Sequence, residues 1–150
     1  MVRFWTPPGC SVSLGVVMAP FNADRVVAEL RRAVSEGDQW DGQDQLTVLD
    51  PALDPDHTTL QGLMRIAAAS RRLSTEPPFG PVVRSVFVAE QGQSRRATEV
   101  YIALRKQLRG PQPRYDILNT VPEACSALDV PDMSRHFRPW PELAGFLTPQ

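Results

Sequence analysis

Cysteine is scarce in this sequence: Cys10 and Cys125 are the only two in 150 residues. They make no disulfide framework, and neither has a second thiol or imidazole at metal-ligand spacing. Both read as small hydrophobes in a reducing compartment. Histidine is as rare, with His57 and His136 alone, and Lys106 is the only lysine, so arginine carries nearly all the positive charge. The glycine-rich phosphate loops G-x-x-x-x-G-K-[ST] and G-x-G-x-x-G are missing, which excludes the common nucleotide folds. The G-x-S-x-G elbow and H-E-x-x-H are missing too. No internal repeat is visible.

Long apolar runs are also lacking. The stretch from Val12 to Phe21 is interrupted by Ser13, Gly15 and Pro20. It is too short to span a bilayer, and no basic segment and small-residue cleavage site frame it. Cys10 follows Pro7-Pro8-Gly9 with no apolar run before it, against a lipoprotein signal. The expectation is a soluble cytoplasmic protein without a membrane span.

What is present fits a globular domain. Apolar residues make up 42% and charged residues 22%, enough for a real core in a chain of this length. A net charge of -1 gives no global steering toward nucleic acid or membrane.

Along the chain, strands and helices alternate. Phe4-Trp5 and residues 11–19 read as two strands around a Pro-Pro-Gly turn. Asn22 is a helix cap, followed by Val26, Val27, Leu30, Ala33 and Val34 at helical spacing, with Asp24 in the first turn and Gly37 as the stop. Residues 45–50 ("QLTVLD") read as a buried strand. Residues 60–73 read as a helix with Leu60, Leu63, Met64 and Ala67 on its core face. Residues 82–90 ("VVRSVFVAE") are β-branched and nearly continuous, a central strand. Residues 94–110 read as a helix with a core face of Ala97, Val100, Tyr101, Leu104 and Leu108, stopped by Gly110-Pro111. A last strand over 114–119 precedes Thr120 and Glu123 at capping-box spacing.

The pattern β-β-α-β-α-β-α-β-α predicts one α/β domain, a five-stranded, mixed but mostly parallel sheet with helices packed on it. It covers residues 1–130. Residues 131–150 have four prolines and no clear period, and read as an extension docked through Phe137, Trp140, Phe146 and Leu147.

A buried strand ending in Asp50, a loop into an amphipathic helix, the strand "VVRSVFVAE", the helix centred on "EVYIAL" and the ending "YDILNTVPEACSAL" together resemble the SpoIIAA-like (STAS-like) domains of bacteria. That group includes anti-sigma-factor antagonists. The resemblance implies the same fold and a regulatory role through a protein partner. In the switching members, an Asp-Ser-Ser-Gly motif after the strand corresponding to residues 46–50 carries the phosphorylated serine. Here that motif falls on Thr58, Thr59, Leu60 and Gln61, so the resemblance places the phosphoacceptor at Thr59, with Thr58 beside it. The aspartate and the glycine of the motif are absent.

The stretch "LDPALDPDHTT" (residues 49–59) concentrates Asp50, Asp54, Asp56 and His57. An EF-hand starting at Asp54 would need glycine at Thr59 and glutamate at Arg65, so it fails. Zinc would want more histidine or cysteine. No metal, cofactor or catalytic constellation is expected. Asp56, Thr58 or Thr59 would cap the helix that begins near Leu60, and the acidic and imidazole side chains would border a ligand or partner surface.

Charge is uneven. Residues 35–57 carry seven acids and no Lys or Arg, whereas residues 58–114 carry ten bases against three acids. Arg71, Arg72, Arg95, Arg96, Arg105, Lys106 and Arg109 form a candidate basic patch. No aromatic platform is interleaved with it, which argues against nucleic acid. An acidic loop set against a basic helix would instead support self-association as a homodimer. The leading expectation is a non-enzymatic regulatory or protein-interaction domain. Two alternatives stay open: a carrier holding an apolar or lipid-like molecule between a helix and the sheet, and an enzyme using His57 with Asp54 or Asp56.

Overall fold

A computed structural model describes residues 1–39, 42–53, 59–75 and 82–148, and the structural statements below concern those residues. Five strands, β1 (Val2–Trp5), β2 (Val12–Val17), β3 (Asp44–Leu49), β4 (Arg84–Val88) and β5 (Arg114–Leu118), form one sheet in the order β1-β2-β3-β4-β5. β1 runs antiparallel to β2, and the remaining pairs are parallel. Helices α1 (Ala23–Ser35), α2 (Leu60–Thr75) and α3 (Gln93–Gln107) make the three parallel crossovers, and α4 (Val121–Ala127) follows β5. The α/β single domain with a mixed five-stranded sheet is thus as the sequence predicts.

Local chemistry sets the boundaries. The Asn22 side chain accepts Arg25 N–H at 3.1 Å and opens α1, while Gly37, at φ 78°, turns the chain after it. Thr120 opens α4 by accepting Glu123 N–H at 3.2 Å. The Glu123 carboxylate reaches back to Asn119 N–H rather than to that of Thr120, a variant of the expected capping box.

Each crossover moves one strand further in the same direction. Because such crossovers are right-handed, α1, α2 and α3 all fall on one face of the sheet, where α1 packs on α2 and α2 on α3. α4 returns to the other face and packs on β4 and β5. The pleat then divides every strand between a helix face and a tail face.

The tail face is aliphatic. Val12, Leu14, Val16, Leu46, Val48, Val86 and Val88 are all buried there. They pack against Val121, Ala124, Cys125 and Leu128 of α4, and against Met133, Phe137, Leu143 and Phe146 from the C-terminal segment. That segment folds as two 3-10 turns, Ser134–Phe137 and Pro141–Phe146. Phe137 and Leu143 are wholly buried. Trp140 and Leu147 pack at the margin, with Trp5 holding Phe137 and Trp140 at ring-centroid distances of 6.0 and 5.6 Å. Residues 131–148 therefore supply part of the core that covers the sheet.

The helix face is different in kind. Lateral rows across it read Ser13–Gln45–Ser85–Tyr115, then Phe4–Gly15–Thr47–Phe87–Ile117. A Cβ at Gly15 would lie 2.6 Å from the Phe4 ring, so only glycine lets that ring lie across β2. The helices also turn differently from expectation. In α2 the buried residues are Leu63, Ile66, Ala67 and Ala69, while Leu60 and Met64 face outward at 59% and 52% exposure. In α3 the buried residues are Ser94, Thr98 and Arg105, and Val100 is exposed. From α3, Tyr101 meets Phe87 of the sheet edge to face, at a ring-centroid distance of 6.0 Å.

The outer edge of β1 is closed by α1. At Phe4 the outward N–H donates to Glu29 at 2.8 Å and the outward carbonyl accepts from Arg32 at 2.8 Å. Arg32 is itself held by Glu29, Glu36 and Asp38.

Candidate functional site

Helices α1–α3 do not fill the helix face. A cavity of about 100 Å³ remains between them and the sheet. Its walls are mostly apolar: Phe4, Val26, Leu30, Leu49, Leu63, Ile66 and Phe87 contribute most of them. Polar atoms come from few places, Gln45 and Thr47 on β3, Ser70 on α2, and Ser94, Thr98 and Tyr101 on α3. An apolar chamber with a small set of convergent polar groups is the usual make-up of a small-molecule site.

Those polar groups differ in their commitments. Ser94 donates to Asp50 O at 3.1 Å, and Thr98 donates to Ser94 O at 2.8 Å. The Gln45 amide and the Thr47 hydroxyl have no hydrogen bond to any described residue. Both can serve a bound molecule at no cost in existing bonds. Burial pushes the Tyr101 hydroxyl above its ordinary pKa, opposed by a hydrogen bond with Ser70 and by the nearby Arg105 charge. Tyr101 is therefore a neutral hydroxyl, able to donate.

The cavity opens at the carboxyl edge of the strands. A groove of about 300 Å³ between the first turns of α2 and α3 shares Leu53, Leu63, Ser94 and Ala97 with it. Leu60, Gln93, Arg96 and Val100 complete the groove. Exposed Leu60 and Val100 thus give the mouth an apolar rim. Ligands of open α/β sheets gather at this edge because the loops there are free to vary around fixed strands.

Of the residues singled out by sequence, Asp50 lies closest to the site. It is buried, with one carboxylate oxygen accepting Ala19 N–H and the other Ala52 N–H, each at 2.9 Å. Its side chain therefore ties two loops together and does not face the cavity. Thr59 is exposed and accepts Gly62 N–H at 3.0 Å, capping α2 one residue before Leu60. Asp54, Asp56, His57 and Thr58 lie outside the described residues.

The basic residues do not form one patch. Arg105 is 1% exposed and belongs to the interior. Arg95 turns to the β5 edge, donating to Ile117 O and Asn119 at 3.3 and 3.2 Å. Arg71 donates to Arg109 O at 2.6 Å, joining the ends of α2 and α3. Arg72, Arg96, Lys106 and Arg109 remain on the surface. Among the described acids, Glu36 and Asp38 hold Arg32, and Asp44 holds Arg84 at 2.8 Å.

Other chemistry is sparse. Burial pushes the Cys125 thiol up, away from the reactive thiolate, and its sulfur accepts Met133 N–H at 3.4 Å. Among the described residues no three His, Cys, Asp or Glu side chains gather to hold a metal, and no helix is long and apolar enough to cross a membrane. Sequence reasoning does not single out Gln45 and Thr47, and it gives Tyr101 only a place on the core face of its helix. The signal for the first two was the alternation Gln45-Leu46-Thr47-Val48, which puts every second residue on one face. No family model, curated protein or solved structure matches the chain.

Proposed function

We propose that this chain is a non-enzymatic binding domain that holds a small, mostly apolar ligand between its sheet and helices α1–α3. The observation that carries the reading is the cavity itself, apolar-walled yet furnished with an amide at Gln45 and a hydroxyl at Thr47 that are uncommitted among the described residues. A chamber left by imperfect packing is ordinarily lined by apolar side chains alone and stays dry. Native mass spectrometry of freshly purified protein tests it. A retained mass is expected in the wild type and none in Thr47→Leu, whose larger side chain fills the chamber. Empty wild-type protein in repeated preparations rejects the reading.

A second reading is a STAS-like protein-interaction domain. Its support is the element order together with the exposed Leu60 and Met64 beside Thr59, the position that carries the phosphoacceptor in the switching members of that group. Affinity capture from a source lysate with the wild type and with Leu60→Asp/Met64→Asp separates the two. A partner lost in the double variant supports the second reading, and no partner in either counts against it.

A further inference from the structure

One buried group remains unexplained. Arg105 is 1% exposed, and a guanidinium keeps its charge under all ordinary conditions. One of its terminal nitrogens donates to Pro111 O at 3.2 Å. Its Nε and Nη1 are buried without a hydrogen-bond partner, and no carboxylate among the described residues pairs with it. Buried charges are ordinarily paired, because a charge taken out of water without a counter-charge is among the costliest arrangements in a fold.

Its position relates it to the cavity. Arg105 lies one helical turn beyond Tyr101, roughly 6 Å along the axis of α3, and Tyr101 lines the cavity. Its charge reaches the hydroxyls of both Tyr101 and Tyr115. No Asp or Glu lines the cavity among the described residues. Among the described residues no carboxylate answers the Arg105 charge, and Tyr101, one turn from it, lines the chamber together with the amide of Gln45. The chamber leads into the groove with its apolar rim of Leu60 and Val100.

We propose that the ligand is an amphipathic carboxylate, seated with its carboxylate at the Tyr101 end and its hydrocarbon chain running out along the groove, with buried Arg105 as its counter-ion. This rests on the cavity reading above and specifies the chemical class of its ligand. The desolvation of the guanidinium has already been met in folding, so an arriving anion gains the attraction without that part of the cost. Arg96, at the mouth, is exposed and screened by water, and a pair made there is weak. The deep orientation is therefore the one with the stronger pairing.

The test compares octanoate with octanamide, which match in length and differ in charge, by titration calorimetry on the full chain freed of retained ligand. The wild type should bind octanoate about tenfold or more tighter. Arg105→Met and Arg105→Gln, studied in parallel so that one folded variant suffices, should abolish that preference and leave octanamide binding within about threefold. Arg105→Met should also unfold at an equal or higher temperature without ligand, since it removes a buried unpaired charge. Equal wild-type binding of the two ligands overturns the proposal and leaves the cavity reading standing. So does a preference that survives in the Arg105 variants and disappears in Arg96→Gln, which would put the carboxylate at the mouth. Binding of neither ligand overturns the proposal and the cavity reading together.

Discussion

The two faces of one sheet are covered by opposite means. On the tail face, Leu14, Leu46 and Val86 form one lateral row and Val16, Val48 and Val88 the next. Short α4 and two 3-10 turns cover them, and the packing is complete enough to leave Phe137 and Leu143 without exposure. On the helix face, the alternate residues of the same strands include Gly15, Gln45, Thr47 and Ser85 beside apolar Val17, Leu49 and Phe87, and three longer helices cover them while leaving a cavity. The more regular cover is thus the looser one. Dense packing follows from which side chains meet and how their shapes fit, and regular secondary structure does not guarantee it. A fold that stabilises itself on one face can keep the other for binding, where full packing would leave no room for a ligand.

The largest test of this contrast removes the cover of the tail face. A chain ending at Val130 loses Met133, Phe137, Leu143 and Phe146 from the core, and the expected result is loss of cooperative unfolding with strong binding of a hydrophobic dye. Cooperative unfolding within about 2 kcal/mol of the full chain would show that the face does not depend on it. Next in size is a pair of neighbours on β3. Leu46→Ala should cost about 2–5 kcal/mol in urea unfolding, whereas Thr47→Val, facing the cavity, should cost less than about 1 kcal/mol or stabilise. Similar costs at both positions would erase the contrast.

Alkaline pH sharpens it further. Burial raises the hydroxyl pKa of Tyr101, which therefore holds its proton to higher pH in the folded chain than in the unfolded one, where tyrosine titrates near 10. The stability this lends is fully present below about pH 10 and is lost as pH rises through the folded value, by at most about 1.4 kcal/mol per pH unit. Tyr101→Phe should flatten that limb in urea midpoints taken from pH 9 upward, and an unchanged limb would place the alkaline loss elsewhere. Local effects belong to the two threonine caps. Thr59→Ala at α2 and Thr120→Ala at α4 should each cost about 0.5–2 kcal/mol, with exposed Thr59 at the lower end, because capping is local and blind to the face its helix covers.

The element order was readable because hydrophobic period and turn chemistry agreed at each boundary. Asn22, Gly37 and Thr120 stand at the helix ends where their chemistry puts them. The inward faces of α2 and α3 are legible in part: Leu63, Ala67, Tyr101 and Leu104 turn in as expected, and the remainder differs for one reason. Apolar residues were given to the core, yet Leu60, Met64 and Val100 sit at the surface while Ser94, Thr98 and Arg105 turn in. Polarity marks the inside of a helix poorly when the sheet beneath it is partly polar too. The site is hidden for the same reason. "QLTVLD" reads as a buried strand and "VVRSVFVAE" as a central one, yet their alternating Gln45, Thr47 and Ser85 describe a face that carries hydrogen-bonding groups. The covering role of residues 131–148 comes from contacts distant in sequence, which no local period encodes.

Phe4 at the rim of the sheet carries a last consequence. A sheet's outermost strand is a template onto which another chain can add, and uncontrolled addition is how folded domains begin to polymerise. Here the Phe4 N–H and carbonyl are occupied by Glu29 and Arg32. An incoming strand would have to break a charged network before forming its first rung. α1 thereby acts as a guard against runaway assembly, a duty distinct from roofing the cavity and performed from its opposite flank.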